Sequence, residues 1–195
     1  MQEEQTILGM VDEARAGKLR RRSLIKALAG IGISTVGIGA IIKAASRPPA
    51  SPSATVVNPQ DTTSHLQLHD QHITNQSQGR LNELYYDYAE HAVVEDSMYP
   101  TPVVGRTAII ARKTLGMFAT TNAQINVTNR IALGNQLVVE WVATGIHSGD
   151  LPGLPASGRP YTLQGVTVVI RQDGKIVREA LYYNVEDFRN QLSTS

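Results

Sequence analysis

Two residues could take part in proton-transfer chemistry: Asp96 as a base, at a rim where a side chain can face a cavity, and His72 as a hydrogen-bond donor. The first is Asp96, near the end of a short run rich in β-branched residues (92–97) and just before a segment with Pro100 and Pro102. A carboxylate in partly apolar surroundings has a raised pKa and can act as a general base. The alternative is a structural role, in which Asp96 caps the following turn or pairs with Arg106.

The second residue is His72, on a predicted helix that begins at Leu66. A neutral or protonated imidazole can donate a hydrogen bond to an oxygen on which negative charge develops. Because His65, His69 and His72 form a loose row at helical spacing, a solvated helix face is the alternative. A metal site at His69 and His72 is a weaker interpretation, since no third ligand is obvious. We predict neither a metal nor an organic cofactor.

Side chains of the later segments could form the wall of such a cavity. Trp141 and His147 have the same parity on one predicted strand, so they point to the same, mostly apolar face. If that face lines the cavity, Trp141 is a ligand wall and His147 a polar group at the mouth. Otherwise the face belongs to a core or a dimer interface. Tyr182 and Tyr183 point to opposite faces, and Tyr99 and Tyr182 complete the candidate substrate contacts.

The spacing of apolar residues predicts the elements that must position these side chains. Ser64 and Thr107 are candidate N-caps of two of the helices. Helices are predicted at 66–78, 81–88, 107–119 and 185–192, and strands at 92–97, around 125–127, and at 137–147, 161–171 and 176–184. Helices followed by a run of hairpins are typical of an α+β domain, in which helices pack on one face of a curved antiparallel sheet.

The first 64 residues are predicted to be a targeting segment followed by a linker. The pair Arg21 and Arg22 precedes an apolar stretch (27–42), which is the pattern of a secretory signal, and the pair resembles a twin-arginine (Tat) signal. An uncleaved membrane anchor stays open as the alternative. We expect residues 1–45 to be the signal or anchor, 46–64 a Pro/Ser-rich linker and 65–195 the domain, placed outside the cytoplasm.

Charge and composition exclude several classes of protein. From His65 onward ten Lys and Arg stand against twelve Asp and Glu, so the excess of positive charge belongs to the leader. The domain therefore lacks the basic patch that nucleic-acid binding needs. The chain has no cysteine, which excludes disulfides, thiol nucleophiles and cysteine-based metal sites.

Three stretches resemble the SnoaL-like branch of the nuclear-transport-factor-like superfamily, which includes polyketide cyclases and ketosteroid isomerases. The stretches are AVVEDSMYPTPVVGRTAI (92–109), VVEWVATGIHSGDLPGLPASGR (138–159) and GKIVREALYYN (174–184). The resemblance implies a cone-shaped α+β domain with an open mouth that binds small, apolar ligands. It also implies a homodimer that pairs through its sheet faces.

The resemblance further implies roles for single residues. Asp96 sits where ketosteroid isomerases carry their proton-transferring carboxylate, and His72 where they carry an oxyanion-stabilising tyrosine. Their second oxyanion donor is missing here, and Thr167 is the nearest substitute. SnoaL-like cyclases would end the last strand with an acid, whereas this sequence has Asn184. An amide can orient a carbonyl group but cannot exchange a proton at neutral pH.

Two functions are open, and we rank the first slightly above the second. The first is an exported enzyme that isomerises or cyclises a small hydrophobic carbonyl compound, with Asp96 as the base and His72 or Asn184 polarising the carbonyl group. The second is a module without turnover that binds an apolar ligand outside the cytoplasm or dimerises through its sheet. The fold hosts enzymes and non-enzymes alike.

Overall fold

The computed structural model describes residues 59–193, together with the single residue Glu13. The predicted signal or anchor and most of the predicted linker lie outside the described residues, so export and membrane anchoring stay predictions. Within 59–193, none of the helices combines the length and the hydropathy that a membrane crossing requires.

Four helices and six strands make up residues 59–193. The helices are α1 (Pro59–Ser77), α2 (Leu81–Asp87), α3 (Arg106–Ala119) and α4 (Val185–Leu192). The strands are β1 (Tyr88–Asp96), β2 (Val103–Val104), β3 (Thr120–Leu133), β4 (Gln136–His147), β5 (Pro160–Gln172) and β6 (Lys175–Tyr183). The α+β class is confirmed.

Several predicted boundaries are wrong, each for a local reason. Helix α1 begins at Pro59, so Ser64 lies inside it and is not its N-cap. Helix α3 has Gly105 at its N-cap without a side-chain cap, so Thr107 does not cap it. Tyr88 is the first residue of β1 and not the end of a helix. Its hydroxyl donates to Glu179 on β6, a long-range contact that helical spacing could not predict.

The six strands form one open sheet in the order β2-β1-β6-β5-β4-β3. The predicted wholly antiparallel sheet is wrong in one pairing, since β1 runs parallel to β6. The successive hairpins from β3 to β6 bring β6 next to β1, and the two strands run in the same direction. In this register Val94 pairs with Glu179 and Asp96 pairs with Leu181. Alternate residues of β1 and β6 therefore face the same side of the sheet.

The core lies between the helices and that face of the sheet. Helix α3 contacts β1 and β3, and α1 contacts β3 and β4. Strand β4 shows the expected alternation, because Leu137, Val139 and Trp141 are buried whereas Glu140 is exposed. The completely buried apolar residues come from helices and strands alike, and include Leu84, Tyr88, Ile110, Leu137 and Ile176.

A buried arginine joins the helices to the sheet. Arg171 of β5 is 0% exposed, and its two terminal nitrogens donate to the two carboxylate oxygens of Asp87 at 2.6 and 3.0 Å. The same guanidinium donates to the carbonyl oxygens of Gly174 at 2.8 Å and Leu68 at 3.4 Å. Burial raises the pKa of Asp87, but the hydrogen bonds from His72 and Arg171 outweigh it and lower this pKa to about 2. Asp87 is therefore an ionised, fully engaged acceptor at neutral pH.

The space for the Trp141 indole depends on Gly165 of β5. A Cβ atom added at Gly165 would lie 2.4 Å from Trp141 Cζ2 and 2.9 Å from the Tyr182 carbonyl oxygen. Only a glycine fits here without displacing the indole.

We expect Gly165→Ala to lower the free energy of unfolding by about 1–3 kcal/mol in urea denaturation, because the added methyl group would overpack the core. Gly116→Ala on α3 is the control, since nothing lies within 4 Å of its added Cβ. The control should be neutral or stabilising, and an equal loss in both variants would contradict this account.

Candidate functional site

The helices and the inner face of the sheet enclose a chamber of about 720 Å³. This volume lies within the range of roughly 300–1,000 Å³ that is usual for small-molecule sites. The wall is mostly apolar and draws on all four helices and on strands β1 and β3–β6. Its apolar members include Ile73, Leu81, Val94, Ile109, Met117, Ile125, Val139, Trp141, Leu163, Leu181 and Phe188.

Five of the eight predicted site residues line this chamber: Asp96, His72, Trp141, Tyr99 and Thr167. Trp141 Nε1 donates to Thr167 Oγ1 at 2.8 Å, which fixes the indole as part of the wall. Because that bond occupies the Thr167 hydroxyl as an acceptor, Thr167 supports Trp141 here. The predicted solvated face for the histidine row is wrong for His72, which is 3% exposed.

The other three predicted residues do not line the chamber. Asn184 is exposed and begins helix α4, where its Oδ1 accepts the Asp187 backbone N–H at 3.0 Å. Tyr182 is 51% exposed, because alternation along β6 turns Tyr183 inward and Tyr182 outward. His147 is completely buried at the end of β4, where Nδ1 lies 3.2 Å from Ser157 Oγ. None of the three side chains is placed to touch a ligand in the chamber.

One polar end of the chamber is built around Asp96, at the end of β1. Its Oδ1 accepts the Tyr183 hydroxyl at 2.6 Å and the Met98 backbone N–H at 2.9 Å. Burial and the charge of Asp96 raise the pKa of Tyr183, so this phenol stays a donor at neutral pH. The turn-capping role is therefore present, but the alternative ion pair with Arg106 is not, because Arg106 stacks on Tyr85. Asp96 Oδ2 has no hydrogen-bond partner within the described range.

A cation stands beside this carboxylate. The guanidinium of Arg112 lies 3.8 Å from the centroid of the Tyr99 ring, and both residues line the chamber. Burial lowers the pKa of Arg112, whereas the nearby Tyr99, Asp96 and Tyr183 raise it. Arg112 Nη1 is buried and has no hydrogen-bond partner among residues 59–193. A positive charge here favours an anionic oxygen on a bound ligand.

The second polar end centres on Glu179 of β6, a residue that the sequence analysis did not select. Glu179 lines the chamber and is 4% exposed. Its carboxylate accepts the Tyr88 hydroxyl, and its two oxygens lie 3.3 and 3.4 Å from Lys113 Nζ. Lys113 Nζ also donates to Gln76 Oε1 at 3.2 Å. Burial raises the pKa of Glu179, but Lys113, His72 and Tyr88 outweigh it, so the pKa lies below its ordinary value.

Two buried histidines of α1 complete this end. His72 Nδ1 lies 2.7 Å from Asp87 Oδ2, while His72 Nε2 has no hydrogen-bond partner in the described part of the chain. The His69 ring stacks on His72 with 6.3 Å between centroids. Among the described residues, no group of three or more His, Cys, Asp or Glu side chains could hold a metal ion. His69 and His72 thus belong to a buried hydrogen-bonding and charge array.

Residues 65–192 match the sequence profile of SnoaL-like polyketide cyclases. This chain belongs to the SnoaL-like polyketide cyclase family. The match spans every element of the sheet and all the chamber-lining residues named above. No curated protein sequence matches the chain.

Solved structures have the same fold as this SnoaL-like domain. A proposed polyketide cyclase from Xanthomonas campestris pv. campestris is 21% identical, with a TM-score of 0.59 over 68% of this chain and 99% of that chain. A proposed SnoaL-like polyketide cyclase from Jannaschia sp. CCS1 is 18% identical, with a TM-score of 0.62 over 74% and 99%. IdmH, a proposed polyketide cyclase from Streptomyces antibioticus, is 19% identical, with a TM-score of 0.57 over 67% and 99%. At such identities the likeness establishes the fold alone.

His69 should make the SnoaL-like domain sensitive to mild acid. Burial, together with the charges of His72, Arg130 and Arg171, lowers the pKa of His69 from 6.5 to about 4. Between pH 6.5 and pH 4, His69 is therefore protonated in the unfolded chain but stays neutral in the folded chain. The stability present above pH 6.5 is lost as the pH falls towards 4, by about 3 kcal/mol.

Urea denaturation between pH 7 and pH 4.5 measures this loss. We expect His69→Gln to remove most of the slope, and His91→Gln, at an exposed position, to leave the slope as in the wild type. A wild-type slope in His69→Gln would contradict the assignment.

Proposed function

We propose that this SnoaL-like domain binds a small hydrophobic carbonyl compound and transfers a proton next to its carbonyl group, in an isomerisation or an aldol-type cyclisation. One observation carries the proposal: a carboxylate with one unengaged oxygen, Asp96 Oδ2, belongs to the wall of a mostly apolar chamber. Membership of a polyketide cyclase family agrees with this chemistry.

The chemistry begins at Asp96. Its Oδ2 takes a proton from the carbon next to the carbonyl group, and the electron pair of that C–H bond becomes the enolate. The negative charge thereby moves from the carboxylate to the substrate oxygen, beside the Arg112 guanidinium. The proton on Asp96 then returns to a different carbon in an isomerisation. In an aldol-type cyclisation, the enolate carbon attacks a second carbonyl group, the electron pair of that C=O bond moves to its oxygen, and the resulting alkoxide takes up the proton from Asp96.

The base and the substrate are oriented by protein groups whose positions are fixed before the substrate binds. Tyr183 and the Met98 N–H hold one oxygen of Asp96, which fixes the direction of the other. The Trp141 indole, held by Thr167, provides a flat apolar surface for a ring. A positioned general base is typically worth about 10² to 10⁴ in rate, and Asp96 is placed to supply this part of the acceleration.

A carbon-acid exchange assay tests the role of Asp96. The probe is 2-tetralone, a bicyclic ketone with an acidic CH₂ group, and NMR follows deuterium incorporation in D₂O. We expect the protein to accelerate exchange and Asp96→Asn to slow it by about 10²- to 10⁴-fold. Glu95→Gln is the matched control, because Glu95 is the neighbouring residue of β1, does not line the chamber and pairs with Arg178 at 2.5 Å. Equal exchange in Asp96→Asn and the wild type would reject Asp96 as the base.

A binding module without turnover is the second candidate, favoured by the turn-capping bond from Met98 to Asp96. Fluorescence of Trp141, the one tryptophan of the chain, distinguishes the two candidates. Quenching by 2-tetralone without any acceleration of exchange would support the binding module. Exchange that is lost in Asp96→Asn, with quenching retained, would support the enzyme.

A further inference from the structure

We propose that His72 is a second proton-transfer residue of the chamber, and that Asp87 and Arg171 position it with Nε2 as the reactive nitrogen. The inference rests on the proposed function and extends it, because a second proton-transfer group requires a second oxygen function on the substrate. It assigns roles to Asp87 and Arg171, which do not line the chamber.

The tautomer of His72 follows from its partner. Asp87 is ionised at neutral pH, since its pKa is about 2, and an ionised carboxylate only accepts hydrogen bonds. His72 Nδ1, at 2.7 Å from Asp87 Oδ2, must therefore carry a hydrogen. In the neutral ring the lone pair is then on Nε2, and in the protonated ring Nε2 is the donor that Asp87 leaves free. Either way, proton exchange takes place at Nε2.

The unused nitrogen lies on the side of the ring away from Asp87, and the ring belongs to a residue that lines the chamber. Nδ1 faces Asp87, which lies outside the chamber wall, whereas His72 itself lines the chamber and is 3% exposed. Glu179, a second carboxylate that interacts electrostatically with His72, is already engaged by Tyr88 and Lys113. A buried nitrogen without a partner costs about 1–3 kcal/mol. An oxygen of a bound substrate would supply the missing partner of Nε2.

Arg171 makes the orientation of His72 rigid. Its guanidinium donates hydrogen bonds to both oxygens of Asp87. Further hydrogen bonds to the carbonyl oxygens of Gly174 and Leu68 fix the guanidinium between the sheet and α1. Asp87 therefore cannot turn away from His72 without leaving a buried charge unpaired, which is costly. An acidic residue that holds an imidazole in one tautomer without taking its proton is an established arrangement in catalysis. Asp87 and Arg171 act here as positioning residues.

The charges around His72 come from every element packed on it. Tyr88 contacts the ring edge-to-face with 5.8 Å between centroids. The titratable and charged groups are His69 of α1, Asp87 of α2, Tyr88 of β1, Lys113 of α3, Arg171 of β5 and Glu179 of β6. His69 Nδ1 and His72 Nε2 both lack a hydrogen-bond partner among the described residues, and both rings line the chamber. His72 differs from His69 in that Asp87 bonds to its other nitrogen and fixes the ring.

His72 and Asp96 serve different ends of the chamber. Asp96 is bonded to Tyr183, and His72 lies beside the Tyr88–Glu179 pair. Along β6, Glu179 and Tyr183 are four residues apart, which corresponds to roughly 13 Å between their Cα atoms. A substrate that meets both groups carries a carbonyl group at one end of an apolar frame and a second oxygen function at the other.

The proton balance at the His72 end is simple. A neutral His72 accepts the proton of a substrate hydroxyl at Nε2, and the electron pair of the O–H bond stays on the substrate oxygen. In the reverse direction the protonated ring returns that proton to an alkoxide or enolate oxygen. The hydrogen on Nδ1 stays with the ring throughout, because Asp87 remains ionised.

NMR of ¹⁵N-labelled histidine in the full chain tests the positioning without any substrate. In the wild type at a pH where the ring is neutral, we expect the hydrogen on Nδ1 and a bare Nε2. In Asp87→Asn the new amide can donate to Nδ1, so the tautomer with hydrogen on Nε2 becomes populated. Asp173→Asn, at an exposed turn, should leave the wild-type tautomer. Hydrogen on Nε2 in the neutral wild-type ring would overturn the inference.

Binding of two ketones tests the chemistry. The probes are 2-tetralone and 6-hydroxy-2-tetralone, which adds a hydroxyl at the far end of the same frame. We expect the wild type to bind the hydroxylated probe at least tenfold more tightly. In His72→Asn this preference should be lost, because asparagine can keep a donor for Asp87 but lacks Nε2. His91→Asn, at an exposed position, is the control and should keep the preference.

The two proposals fail separately. Exchange of 2-tetralone that does not depend on Asp96 would reject the proposed base and leave the His72 measurements as they are. A preference for the hydroxylated probe that is absent from the wild type, or that persists in His72→Asn, would reject the role of His72 even if exchange depends on Asp96.

Discussion

A buried guanidinium holds together the parts of this domain that make its chamber. Arg171 extends from β5 to bind Asp87 on α2, the Leu68 carbonyl on α1 and the Gly174 carbonyl in the last hairpin. The ion pair is out of water, so neither partner can leave without a large cost. Through Asp87 the same interaction holds His72, so the position of α1 on the sheet determines how the polar groups are arranged at one end of the chamber.

The parallel pairing of β1 with β6 brings the polar groups together. It sets Asp96 beside Leu181 and Val94 beside Glu179, so both carboxylates face one chamber from neighbouring strands. Each acid has its own donors, Tyr183 for Asp96 and the Tyr88–Lys113 pair for Glu179. The two environments differ, because both carboxylate oxygens of Glu179 have partners whereas one oxygen of Asp96 has none among the described residues. This difference is the reason that we propose Asp96 as the reactive acid and Glu179 as part of the supporting array.

Local patterns predicted the order of elements, the α+β class and the inward face of β4 that carries Trp141, because periodicity is a local property. They also marked Asp96, which the structure places in the chamber wall. Glu179 was missed, although strand parity with Tyr183 would have placed both on one face. Asn184 was assigned to the last strand, yet asparagine ahead of an acidic first turn is a regular N-cap signal. The β1–β6 pairing and the Arg171–Asp87 bond join distant residues, and no local pattern encodes them.

A crystal structure of the protein with 2-tetralone tests the central claim most directly, that a ligand-accepting apolar chamber presents Asp96 to a carbonyl compound. We predict that the rings of 2-tetralone lie against Trp141 and that the carbon next to the carbonyl group lies about 3–3.5 Å from Asp96 Oδ2. A chamber filled by the protein's own side chains, or an Asp96 side chain turned to bulk water, would contradict it.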